Sequence, residues 1–163
     1  MKRMCRACGK GELVSVRERV HYTGSGLPNV WLENVEVRRC PACKEHVVVL
    51  FAVEHLHRAI ALAVAKKSSR LTGVEARFLR KVLGFSGVDF ARHLGVDPTV
   101  LSKWENDALP IGEQSDRLLR LMGVHGRPIE EYPLEKLADI DSNSRESAKI
   151  NLRVSGRDWQ AVA

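Results

Sequence analysis

Two Cys-x-x-Cys pairs, Cys5-Arg-Ala-Cys8 and Cys40-Pro-Ala-Cys43, stand 31 residues apart in a chain of 163 residues that has no other cysteine. Each pair turns two thiolates toward one point, and two such turns complete the tetrahedral sulfur shell that zinc prefers. Cys8-Gly9-Lys10-Gly11 supplies glycines where the backbone has to bend around the ion. Arg6, Lys10, Arg39 and Lys44 flank the pairs and offset the double negative charge of a zinc–tetrathiolate centre. A dithiol redox site of thioredoxin type is the alternative. It belongs in a βαβ setting, however, and the flanks here read as strands and turns. His46 is near enough in sequence to compete as a ligand, but four thiolates already saturate the ion. Cys5, Cys8, Cys40 and Cys43 are therefore the expected ligands of one structural Zn2+ per chain. A saturated shell has no position for water or substrate, so its role would be folding and not catalysis. A module of about 50 residues cannot bury a self-sufficient core. Metal binding contributes roughly 10–16 kcal/mol in small zinc peptides, enough to supply what is missing.

Between the cysteine pairs, Glu12–Tyr22 and Val30–Arg39 are Val-rich with partial alternation, and Thr23-Gly-Ser-Gly-Leu-Pro-Asn29 is a turn cluster. Val47–Leu50 reads as a third strand. From Val53 the period changes: Leu56, Ala59, Ile60, Ala63 and Val64 recur at helical spacing. The polar run Lys66-Lys-Ser-Ser-Arg70 after them reads as a hinge. Residues 1–52 are thus expected to form a β-rich zinc-binding domain, and residues 53–70 a connecting helix and hinge.

Short helices fill residues 71–126. Thr72-Gly-Val-Glu75 has capping-box spacing, and Val74, Phe78, Leu79 and Val82 suggest the buried face of the helix it opens. Ser86 opens a second helix, with Val88, Ala91 and Leu94 expected inward. After the Gly95-Val96 turn, Asp97 is a natural N-cap with Pro98 at the first helical position. The third helix runs from Thr99 to about Asn106, and a fourth covers Glu113–Met122. Helices joined by a glycine turn in this way form a helix-turn-helix, whose second helix enters the DNA major groove. On a helical wheel Thr99, Ser102, Lys103 and Asn106 share one polar face, while Leu101 and Trp104 lie opposite it. The polar face is left for DNA, and Val96, Leu101 and Trp104 are expected to lock the helix to its neighbours.

The run from Phe90 to Asn106, ending Leu-Ser-Lys-Trp-Glu-Asn, resembles the lambda-repressor/Xre class of helix-turn-helix. An Xre-type domain behind a paired-CxxC module of YgiT type is similar to the MqsA-type antitoxins, and the likeness spans roughly residues 5–122. The resemblance implies a cytoplasmic homodimer that represses its own operon by binding operator DNA, and a zinc domain that neutralises a small RNase toxin. Carried over by position, it places base contacts at Thr99 and Lys103, beside Ser102 and Asn106 on the same face. Arg92, with Lys81 and Arg117, becomes a candidate phosphate contact, and Arg80 pairs with Glu105 inside the fold. Two departures stand out. Gly87 replaces the glutamine common at the start of the second helix, and Asp107 replaces the glycine that usually follows Trp-Glu-Asn.

The net charge of +6 favours polyanionic partners, but only weakly until it is located. Residues 1–46 carry nine Lys/Arg against five Asp/Glu, residues 66–120 ten against seven, and residues 127–163 six against seven. No stretch reaches the roughly 18–20 apolar residues of a membrane span. Met1-Lys-Arg-Met-Cys-Arg lacks the apolar core of a signal peptide, so a cytoplasmic location is expected. No HExxH, Walker-type loop or Ser/His/Asp arrangement stands out, and an enzyme is not expected. Residues 127–163 extend past the resemblance, with Leu134–Ile140 readable as a short helix and Ile150–Val154 as a strand. They are read as a dimerisation element, a disordered tail or a partner segment. The expected fold class is α+β, a β-rich zinc domain joined by a helix to an all-α, five-helix-type helix-turn-helix domain. A regulator without a toxin and a zinc-ribbon adaptor that binds protein are the remaining alternatives.

Overall fold

The Val-rich segments pair as an antiparallel sheet: β1 (Val14–His21), β2 (Trp31–Arg39) and β3 (His46–Val48), in the order β1-β2-β3. We describe a computed structural model, covering residues 4–125 and the backbone of two further strands, β4 (Asn151–Ser155) and β5 (Asp158–Val162). β1 and β2 run from the Val14–Arg39 pair to the His21–Trp31 pair, with a bulge near Glu18 and Val20. Asn34 takes φ 56 at this irregularity, and its carbonyl accepts a 3.1 Å hydrogen bond from Arg17. Only the last three residues of β2 pair with β3, where Val37, at the centre of the module, is fully buried.

Five helices follow: α1 (Val53–Lys66), α2 (Gly73–Val82), α3 (Gly87–Leu94), α4 (Pro98–Glu105) and α5 (Glu113–His125). The chain is α+β, and among the described residues no helix is long and apolar enough to cross a membrane. The expected caps form. Thr72 and Glu75 make a reciprocal capping box on α2, Ser86 caps α3, and Asp97 caps α4 with Pro98 inside its first turn. Gly95 ends α3 at φ 64, a left-handed conformation that costs glycine little.

The buried side of α1 is Ile60, Ala61 and Ala65, while Ala59 and Ala63 are exposed. Val74, Val82 and Val88 also lie toward solvent, and Leu71, Ala76, Phe90 and Ile111 take core positions instead. Helices of eight to ten residues offer too few turns for apolar spacing alone to fix the buried face.

Lys66–Arg70, expected to be a hinge, runs beneath a side chain of α5. Arg120 spans it, donating to the carbonyls of Ala65 (3.1 Å), Lys67 (2.5 Å) and Ser69 (2.5 Å). Asp116 holds that guanidinium at 2.7 Å and accepts from the backbone N–H of Leu71 at 2.8 Å. Lys67 pairs with Glu75, which is largely buried. Carbonyls at the end of α1 that a helix cannot satisfy internally find a charged donor here, so the segment is fastened to α2 and α5.

Asp107 occupies the expected glycine position and adopts the left-handed φ of 55, which aspartate tolerates better than most residues. Its carboxylate also accepts from the N–H of Gly73, the first residue of α2, at 2.6 Å. Gly73 itself has no room for a side chain: a Cβ would fall 2.8 Å from the Glu105 carbonyl carbon and also strike the Trp104 carbonyl oxygen. Gly73→Ala should therefore push α2 off α4 and cost about 1–3 kcal/mol, measured by urea unfolding. The β4–β5 ladder pairs Leu152 with Ala161 and Val154 with Trp159, so the strand expected at Ile150–Val154 forms one residue later. The helix expected at 134–140 lies outside the described residues.

Candidate metal centre and the surface of α4

Each cysteine pair builds the same kind of turn. The N–H of Gly9 bonds the carbonyl of Cys5 at 2.9 Å, and the N–H of Lys44 bonds the carbonyl of Cys40 at 2.9 Å. Gly9 and Lys44, each one residue after the second cysteine of its pair, take φ 66 and φ 62. The turns are closed by Cys5 N–H to Gly11 O and Cys40 N–H to Glu45 O, both 2.8 Å. Gly11 is needed where the two turns meet, since a Cβ there would fall 2.5 Å from the Cys40 sulfur.

The four sulfurs come together: Cys5 to Cys43 is 3.7 Å, Cys8 to Cys40 is 3.7 Å, and all lie within 4.8 Å of one another. A tetrahedral thiolate centre with metal–sulfur bonds of about 2.3 Å needs sulfurs roughly 3.8 Å apart, so the donor set fits a metal ion. Among the described residues no histidine joins the cluster, and His46 lies on β3 opposite Arg39. Backbone N–H groups of Lys10 and Gly11 bring the Cys8 thiol down to about 6. At Cys43 the N–H of Glu45 favours the thiolate, but desolvation and hydrogen bonding with the Cys40, Cys8 and Cys5 sulfurs push the thiol up to about 12. Four close thiols cannot all ionise by themselves, and a dication lets them do so.

The second candidate surface is built by α3, the Gly95-Val96 turn and α4. Leu101 and Trp104 are buried in the core, and Val96 packs against it. Thr99, Ser102 and Lys103 are exposed on the opposite side of α4. The Thr99 side chain and N–H both bond Asp97 and hold its carboxyl below the usual aspartate range. Asn106 is exposed but engaged: its Oδ1 accepts from Arg77 at 2.6 Å, and its Nδ2 donates to the Ser102 carbonyl at 2.8 Å. Arg92 is exposed on α3, Arg117 pairs with Glu113 on α5, and Lys81 is exposed on α2.

Beneath α4, Glu105 accepts from Arg80 through both carboxylate oxygens, at 2.5 and 2.9 Å, and from Arg77 at 3.2 Å. The hydrogen bond from Arg80 to Glu105 raises the arginine above its ordinary value despite partial burial. Arg80 also donates to the carbonyl of Phe85 at 2.7 Å, tying the α2–α3 connection to the same ion pair. The family resemblance points to Arg80 and Glu105, but neither it nor the spacing gives a sign of Arg77 or of Asp107 as an acceptor for the first N–H of α2. The Asp116–Arg120 pair had a sequence signal in its i,i+4 spacing. The chain matches no model of a known protein family, and no curated protein matches it.

Proposed function

We propose that this protein is a zinc-stabilised, sequence-specific DNA-binding repressor that acts as the antitoxin of a toxin–antitoxin pair. One observation carries the DNA-binding reading. α4 turns Leu101 and Trp104 into the core and presents Thr99, Ser102 and Lys103 outward from its N-terminal three-quarters. A recognition helix needs this division, with a rigidly seated apolar side and small polar or basic residues at the end that enters the major groove. Lys103 is suited to guanine O6 and N7. Thr99 is exposed, and its methyl and hydroxyl are suited to a thymine or a phosphate. Asn106 and Arg77 brace the C-terminal end of α4. Arg92 would position the helix on phosphates without reading sequence. Two copies on a two-fold operator would read two half-sites.

Zinc is the metal we assign to Cys5, Cys8, Cys40 and Cys43, since four thiolates in tetrahedral reach suit it and a saturated shell makes it structural. The toxin reading rests on the resemblance and on one surface. Trp31, Leu50 and Phe51 are exposed around a groove of about 580 Å³ beside β2. An apolar patch of this kind on a small module is typical of a protein-contact site. Footprinting on the DNA upstream of the gene should show a protected tract that Lys103→Ala abolishes. Co-expression with the adjacent small reading frame should relieve toxicity and yield a complex that Phe51→Asp disrupts. Failure of the second test with success of the first leaves a regulator without a toxin.

A further inference from the structure

We propose that metal occupancy controls the DNA-binding surface, because the metal module and the helices share one core through the turn between β1 and β2. Its DNA consequence rests on the reading of α4 above. The cysteine pairs lie at one end of the β1–β2 hairpin, before Val14 and after Arg39. The opposite end of the hairpin enters the helices. Leu27, only 2% exposed, belongs to the same contiguous apolar core as Ile60 and Ala61 of α1, Phe78 of α2, and Leu101 and Trp104 of α4. Tyr22 and Val30, on either side of the turn, pack against that core. The Tyr22 hydroxyl is hydrogen-bonded to His57 Nε2 at 2.9 Å, and the His57 ring stands edge-on to Phe78, 6.0 Å between centroids. The fastened segment after α1 removes the slack that would let α1 move with the hairpin and leave α2–α5 undisturbed.

A short three-stranded sheet of this size depends on its metal to stay folded. When the metal leaves and the sheet opens, Leu27, Tyr22 and Val30 withdraw from Ile60, Ala61 and Phe78. A core packed at crystal-like density does not absorb such a loss locally. The change reaches Leu101 and Trp104, which seat α4. Zinc withdrawal therefore lowers the population of the DNA-binding form although no ligand touches α4.

The test uses the full-length holoprotein carrying Trp31→Phe and Trp159→Phe, which leaves Trp104 as its single tryptophan. Zinc is removed with a chelator while Trp104 emission and helical circular dichroism are followed. Affinity for upstream duplex DNA is measured in parallel. The expected result is a red shift of Trp104 and loss of helical signal that track zinc release. A fall of at least about tenfold in DNA affinity should accompany them, and all three should be reversed by added zinc. In a second protein, Leu27→Ala with Tyr22→Phe, zinc content should stay at one per chain while the Trp104 response to chelation is at least halved. Holo-like Trp104 emission and helicity after complete zinc loss would overturn the coupling, as would an unchanged response in the second protein. A holoprotein that binds no DNA would instead sink the reading of α4, while the Trp104 signal still decides the coupling.

Discussion

Cys40→Ser should give a protein that retains no zinc on purification and has lost its β1–β2–β3 sheet. Cys40 is 1% exposed and lies against Gly11, so its sulfur is at once a proposed ligand and the contact joining the two cysteine turns. A serine hydroxyl is a poor donor to zinc. Without the ion the three remaining thiols cannot all ionise beside one another. Binding free energy in such modules is folding free energy, on the order of 10–16 kcal/mol in small zinc peptides. Losing most of it is comparable to the stability of an entire ordinary domain, about 5–15 kcal/mol. Elemental analysis should fall from one zinc per chain to less than a tenth, with loss of strand signal in circular dichroism. Retention of one zinc and a native spectrum would show that Cys40 is not a ligand.

Glu105→Ala should be the most damaging single change outside the metal centre. The side chain is 8% exposed and answers two guanidiniums, of which that of Arg80 is 11% exposed. Removing one member of a buried pair leaves an uncompensated charge and costs about 3–5 kcal/mol. For a chain of this size that corresponds to a fall in melting temperature of roughly 10 °C. Glu105→Gln keeps the volume and one acceptor, and should lose less. Arg77→Ala should also cost less, since Arg77 is more than a third exposed. If Glu105→Ala and Arg77→Ala prove equally mild, the pair does not seat α4.

Much of this was legible in the sequence for local reasons. Metal ligation imposes its own spacing, so the cysteine pairs could be read without knowing any tertiary contact. Caps are equally local: Thr72 with Glu75, Ser86, and Asp97 with Pro98 each act within four residues, and all three form. What stayed hidden depends on how the elements pack together. Glu75, Glu105 and Asp116 are buried, yet their types normally point to a solvated surface. Their partners explain them: Lys67 and the Thr72 N–H for Glu75, Arg80 and Arg77 for Glu105, and Arg120 and the Leu71 N–H for Asp116. The run Lys66–Arg70 has a linker's composition but is held by an arginine more than 50 residues away in sequence. At α4 the wheel separated the buried side from the exposed side correctly. It had no means of revealing that Arg77 reaches across to engage Asn106.

The outer face of α4 is proposed to read a DNA sequence. The most direct test is a binding titration of wild type and Thr99→Ala/Lys103→Ala on two labelled duplexes. One carries the DNA upstream of the gene, and the other has the same composition in scrambled order. Wild type should prefer the upstream duplex by at least about 1,000-fold at physiological salt. The double variant should lose at least about 100-fold of that preference while binding the scrambled duplex as before. Equal preference by both proteins, with native spectra, would show that Thr99 and Lys103 do not read the sequence.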